Sequence, residues 1–199
     1  MNKELVIEPK KPYLFEDKEY KTIDLSGLKE LTMQDAIEAQ KNVVGSGEDT
    51  VVIYAPEASQ AFIDEIAALA AKQPVEFFNG MGIGLSGKVR TAVQSVFSAD
   101  SNDAKKHVVE FDKPYTYGGE TVSVIDLSGL EELTSKDVSA AENEVLKTGV
   151  YSANMKNFFV YSCALAARAT GKPIEFFTKM PLKDAAKVRS TVNAASFFE

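Results

Sequence analysis

Tryptophan is absent from this 199-residue chain, and cysteine and histidine occur once each, as Cys163 and His107. A single cysteine excludes an intramolecular disulfide and points to a reducing compartment. A single histidine, following Lys105 and Lys106 in a polar stretch, offers neither a clustered metal site nor the base of a Ser-His-Asp triad. No apolar run approaches the ~20 residues that a membrane-spanning helix needs. Met1 to Lys10 lacks the apolar core of a signal peptide. Basic residues number 22 against 29 acidic ones, a net charge of −7. With no basic stripe, nucleic acid and anionic membrane surfaces are poor partners. The expectation is a soluble, cytoplasmic protein.

What the chain does contain is one phrase written twice. Ile23-Asp24-Leu25-Ser26-Gly27-Leu28, with Glu30-Leu31-Thr32 and Asp35 after it, returns as Ile125 to Leu130, Glu132-Leu133-Thr134 and Asp137. The offset is a constant 102 positions, so a duplicated module is the first hypothesis. Further on, Pro74-Val75-Glu76-Phe77-Phe78 is matched by Pro173-Ile174-Glu175-Phe176-Phe177 at an offset of 99. The organisation expected is a first module over 1–98, a polar linker over 99–107 and a second module over 108–199.

Each module reads as a β-hairpin followed by about three helices. Val6 to Ile23 and Val108 to Leu127 hold β-branched and aromatic residues around a polar turn, Glu16 to Glu19 in one and Gly118-Gly119 in the other. Leu31-Thr32-x-x-Asp35 and Leu133-Thr134-x-x-Asp137 read as helix starts. Asp is shorter than the Glu of the usual capping box and reaches the N-cap amide less easily. These first helices are predicted over Met33 to Val44 and Ser135 to Leu146. Second helices are predicted over Glu57 to Ala71 and Ala153 to Thr170. A proline-led turn then precedes last helices over Lys88 to Phe97 and Lys187 to Phe198. The fold class is α+β, mostly helical, and the two modules either pack as a pseudo-twofold pair or hang apart on the linker.

Gly82-Ile83-Gly84-Leu85-Ser86-Gly87 spells G-x-G-x-x-G, but Val89 stands where a P-loop needs Ser or Thr. No suitable strand leads into it, and the corresponding Pro181 to Ala186 has no glycine. It reads as a flexible turn, with no nucleotide and no other cofactor. Asp24 and Asp126 read as turn residues that accept local backbone N–H groups, with Gly27 and Gly129 free to take positive φ. Cys163, among small and apolar neighbours, reads as a buried inert thiol. The candidate protein-contact residues are the paired rings Phe77, Phe78, Phe176, Phe177, Phe197 and Phe198. Adjacent helical residues point ~100° apart, so either a wide core or the other module covers both rings, or one ring of each pair lies on an apolar surface patch.

Lys-Pro-Tyr, a hairpin, Ile-Asp-Leu-Ser-Gly-Leu, Leu-Thr-x-x-Asp, Gly-Lys-Pro-Ile-Glu-Phe-Phe and a closing helix together resemble the tail assembly chaperones of long-tailed bacteriophages. Val108 to Phe198 resembles one such protein, and the first module a diverged copy in which glycines replace the Pro-x-x-Asp turn. The resemblance implies a non-enzymatic helper of virion assembly. It would coat the phage tape measure protein, help recruit tail-tube subunits, and be absent from the finished particle. Acidic modules with apolar grooves suit an amphipathic helix, and two linked modules raise apparent affinity. Self-association is a further option for such a module. The alternative is a structural tail component or an adaptor.

Overall fold

A computed structural model describes residues 5–47, 49–98 and 107–194. In the first half, β1 (Val6–Ile7) pairs antiparallel with β4 (Ile23–Asp24), and β2 (Tyr13–Phe15) pairs with β3 (Lys18–Tyr20). The nested pairs make one interrupted hairpin, broken where Pro9 and Pro12 remove backbone donors. Its tight turn places Glu16 and Asp17 at φ 47° and 61°. In the second half β5 (Val108–Tyr117) and β6 (Glu120–Asp126) form a longer hairpin, irregular between Glu110 and Tyr115. Gly118 and Gly119 take its turn at φ 59° and 86°, as a type I′ connection demands.

Both strands end in the repeated Asp-Leu-Ser-Gly turn. Asp24 Oδ1 accepts the Ser26 N–H and Asp126 Oδ1 the Ser128 N–H, each at 2.8 Å. Those bonds hold both carboxyls below the usual aspartate range. The glycines serve a different purpose from the one expected: neither has positive φ. A Cβ on Gly27 would lie 2.1 Å from Ala70 O, and one on Gly129 would lie 2.2 Å from Ala169 O. Gly is present because a 3-10 turn crosses the end of a helix at backbone contact distance.

The helices then follow. α1 (Met33–Ser46) and α6 (Ser135–Lys147) each begin with a complete capping box. Short as it is, Asp35 Oδ2 accepts from both the backbone N–H and the hydroxyl of Thr32 at 2.7 Å. Asp137 does the same for Thr134, at 3.0 and 2.6 Å. α2 (Val51–Tyr54) is a short turn that the sequence did not announce. α3 (Gln60–Ala71) and α7 (Phe159–Thr170) start later than predicted, because 3-10 turns at Pro56–Ala58 and Met155–Asn157 occupy the approach. α4 (Val75–Asn79) and α8 (Ile174–Thr178) follow N-cap prolines. α5 (Ile83–Phe97) and α9 (Leu182–Ala194) close the halves. Nine helices among the described residues, with three small two-stranded sheets, make the fold α+β and mostly helical.

The apolar residues of both halves form one continuous core. Phe62 of α3 stacks on Phe159 of α7 with centroids 5.4 Å apart, and both rings are fully buried. Burying two such rings contributes ~3–6 kcal/mol against leaving them in water. The halves are not a twofold pair. Leu31-Thr32-Met33 runs antiparallel to Met180-Pro181-Leu182, with Met33 N–H donating to Met180 O (3.0 Å) and Leu182 N–H to Leu31 O (2.8 Å). A twofold would bring Leu133 to Ile83, but Ile83 is 94% exposed. The reason lies in the side chains. Met33 and Ile37 make an apolar face on α1, whereas α6 carries Ser135 and Ser139 at the matching positions.

Most of the expected linker lies outside the described residues. His107, its last residue, is not free in solvent: its carbonyl accepts the Leu127 N–H at 2.6 Å, and its Nδ1 lies 3.5 Å from Glu131.

Candidate functional site

The paired rings come first because they are the candidate contact residues. Phe77, Phe78, Phe176 and Phe177 are all buried, between 0% and 2% exposed. Phe197 and Phe198 lie outside the described residues. The burial has a geometric cause. α4 and α8 are single turns wedged between the hairpin and the helix layer, so the two rings of each pair point into different parts of one core. Phe77 packs edge-on to Tyr13, Phe15 and Tyr20, at 4.8 to 5.2 Å between centroids. Phe176 meets Tyr115 and Tyr117 in the same way, at 5.1 and 5.8 Å. Tyr13 adds a hydrogen bond from its hydroxyl to Phe77 O at 2.7 Å. These rings anchor each hairpin to its helices.

Buried ionisable groups do not assemble a catalytic set either. Burial pushes the Cys163 thiol up to about 12. At neutral pH it is a protonated, unreactive side chain. Asp64 of α3 is also buried, and burial raises its pKa. Its Oδ1 accepts from Gln60 at 2.8 Å, while Gln60 Oε1 accepts from Arg90 at 2.7 and 3.1 Å. Gln60 Nε2 also donates to Ser86 Oγ at 3.1 Å, so this chain of bonds ties the start of α3 to α5. Among the described residues, no three His, Cys, Asp or Glu side chains group as metal ligands. No described helix is long and apolar enough to cross a membrane.

The glycine run is helix rather than loop. Gly82 is the N-cap of α5, and Gly84 and Gly87 lie within it. Its exposed apolar side chain is Ile83. Between the start of α5 and the Pro9–Leu14 segment opens a cleft of about 700 Å³ whose lining includes Ile83, Leu85 and Tyr13. Leu14, 61% exposed, stands on its wall. Lys10, Lys11 and Lys88 also line it. Lys88 Nζ donates to Glu8 O at 3.1 Å, and none of the three lysines forms an ion pair among the described residues. An apolar floor with a cationic rim on an acidic protein is the described surface best suited to holding part of another molecule.

Sequence reading passed over this site because its residues look ordinary one at a time. The usable signal was a comparison of the two halves. Lys10 corresponds to Asp112, Gly84 to Lys183 and Leu85 to Asp184. In the second half Asp112 pairs with Lys183 and Lys187 at 2.6 and 2.5 Å, so the matching surface is neutralised.

Compared with known proteins, the chain has no match among curated proteins and none among solved structures. Its second half does have one: residues 108–196 match the family of phage tail assembly chaperone proteins, E, or 41 or 14, which supports a role in phage tail assembly.

Proposed function

We propose that this chain is a non-enzymatic phage tail assembly chaperone, built from two tandem modules, that binds the tape measure protein and helps recruit tail-tube subunits. The observation that carries the reading is the family match over residues 108–196. Apart from its interrupted hairpin and the extra turn α2, the first half has the same succession of elements, which favours a duplicated module. The buried ionisable groups fit a binding protein better than a catalyst, and no cofactor is needed for this role. The apolar cleft beside Ile83 gives the chain a surface on which a partner can dock. Phe197 and Phe198, outside the described residues, stay as further candidate contacts. The protein would work in the host cytoplasm and leave before the particle is complete.

Co-expression with the tape measure protein of the same genome tests this function. A soluble complex, and more soluble tape measure protein than when it is expressed alone, is the expected result. No complex and no gain in solubility would overturn it. Finding the chain at fixed stoichiometry in purified particles would favour a structural tail component or adaptor instead.

A further inference from the structure

Two surfaces that correspond in sequence differ in what covers them. Met180-Pro181-Leu182, at the start of α9, is an occupied edge. It exchanges two backbone hydrogen bonds with Leu31-Thr32-Met33, and α1 continues from there with Met33 and Ile37 buried. Met81-Gly82-Ile83, at the start of α5, is the matching edge, and among the described residues it is bare. Leu182 is 1% exposed where Ile83 is 94% exposed. The cleft beside Ile83 is rimmed by Lys10, Lys11 and Lys88, without the carboxylates that neutralise the second half.

We infer that the Met81–Ile83 edge and its lysine-rimmed cleft receive a segment of another protein, shaped as Leu31–Ser46 is shaped against the second half. The segment runs extended for about three residues beside the edge, apolar where Leu31 and Met33 are apolar. It then continues as an amphipathic helix that turns acidic side chains toward the three lysines. This deepens the chaperone reading and rests on it for the partner's identity. The chain thus carries an internal copy of the contact it offers outward: α1 fills one such site and leaves the other open. Electrostatics adds direction, since three cations without an ion pair among the described residues favour an acidic segment and disfavour a basic one. A second copy of this chain is a poor occupant. Its α1 is already seated on its own second half, and α6 presents Ser135, Ser139 and Glu142 where α1 has Met33, Ile37 and Gln40.

Two probes test the inference on the full-length chain: the tape measure protein of the same genome, and a labelled synthetic peptide of residues 29–46. The variants are Ile83→Asp and the double variant Lys10→Glu/Lys11→Glu, all at exposed positions, with unchanged circular dichroism as the control for folding. Ile83→Asp is expected to weaken binding of either probe at least tenfold. The lysine variant should weaken it and flatten its salt dependence. A tape measure complex that forms with wild type and survives Ile83→Asp undiminished overturns the inference while leaving the chaperone function standing. If wild type forms no such complex, the chaperone reading fails and the peptide decides the site. Peptide binding lost in Ile83→Asp supports it, and no peptide binding overturns it. Concentration-dependent oligomers of the chain alone that Ile83→Asp dissolves would assign the edge to a second copy, and also overturn it.

Discussion

Gly27 lies against the carbonyl oxygen of Ala70 so closely that a Cβ at this position would sit 2.1 Å from it. The obstacle is backbone, which cannot swing aside as a flexible side chain can. Gly27→Ala is therefore expected to destabilise the protein by ~2–4 kcal/mol through forced separation of the turn and α3. Gly129→Ala should do the same against Ala169. Gly84 is the contrast: it lies inside α5 with open space around its Cα, so Gly84→Ala should stabilise by ~0.5–1 kcal/mol. Urea denaturation of the three variants checks both signs. A neutral Gly27→Ala would contradict the packing described.

Gln40 links the halves from a buried position. Its Oε1 accepts the Phe159 N–H at 3.1 Å, and its Nε2 reaches Asn157 O at 3.3 Å and Val52 O at 3.4 Å. Gln40→Ala leaves these groups without that partner in the core, at a cost of ~1–3 kcal/mol. The unfolding transition should stay single, because the halves share one core. Two separate transitions in the variant, or no loss of stability, would contradict this.

Asp112 gives a pH dependence with a definite sign. Hydrogen bonds from Lys183, then Lys187, hold its carboxyl below its ordinary value of 3.8. A depressed pKa stabilises the fold above the unfolded value, and that contribution fades as pH falls through the folded one. Asp112→Asn should therefore be less stable than wild type by a roughly constant amount at pH 5 to 7, with the gap narrowing below about pH 4. The carboxylate is 43% exposed, so solvent screening keeps the gap under ~1 kcal/mol. Thermal melts at four or five pH values would show it. A gap that widens on acidification has the wrong sign.

Cys163 should behave as an apolar side chain. With the thiol at about 12 and the residue buried, a thiol reagent at pH 8 should label native protein only at the rate of unfolding. Immediate stoichiometric labelling without denaturant would contradict its placement. The Arg189 guanidinium, which pairs with Glu57, lies 4.5 Å from the Phe159 ring centroid and helps close the core near this helix.

The parts of the fold legible in the sequence were those set by local chemistry. Thr32 and Asp35 announced a helix start, Gly118-Gly119 a turn, and Asp24-Ser26 an Asx bond, because each depends on residues within four positions of itself. The site was not legible, for a related reason. The burial of Phe77 depends on a hairpin folding back from more than 50 positions away, so helical spacing alone left open whether both rings of the pair are covered. The exposure of Ile83 depends on which helix start reaches across: that of α1 pairs with Met180–Leu182, while that of α6 makes no such pairing with Met81–Ile83 among the described residues. That choice is written in Met33 and Ile37 against Ser135 and Ser139, a difference visible only when the two copies are compared position by position.

The most direct test of the chaperone function is sedimentation of purified chain mixed with the tape measure protein of the same genome. The account predicts that both proteins sediment together as one soluble species and that the tape measure protein stays in the supernatant. Tape measure protein that pellets equally with and without the chain, leaving the chain sedimenting alone, would contradict it.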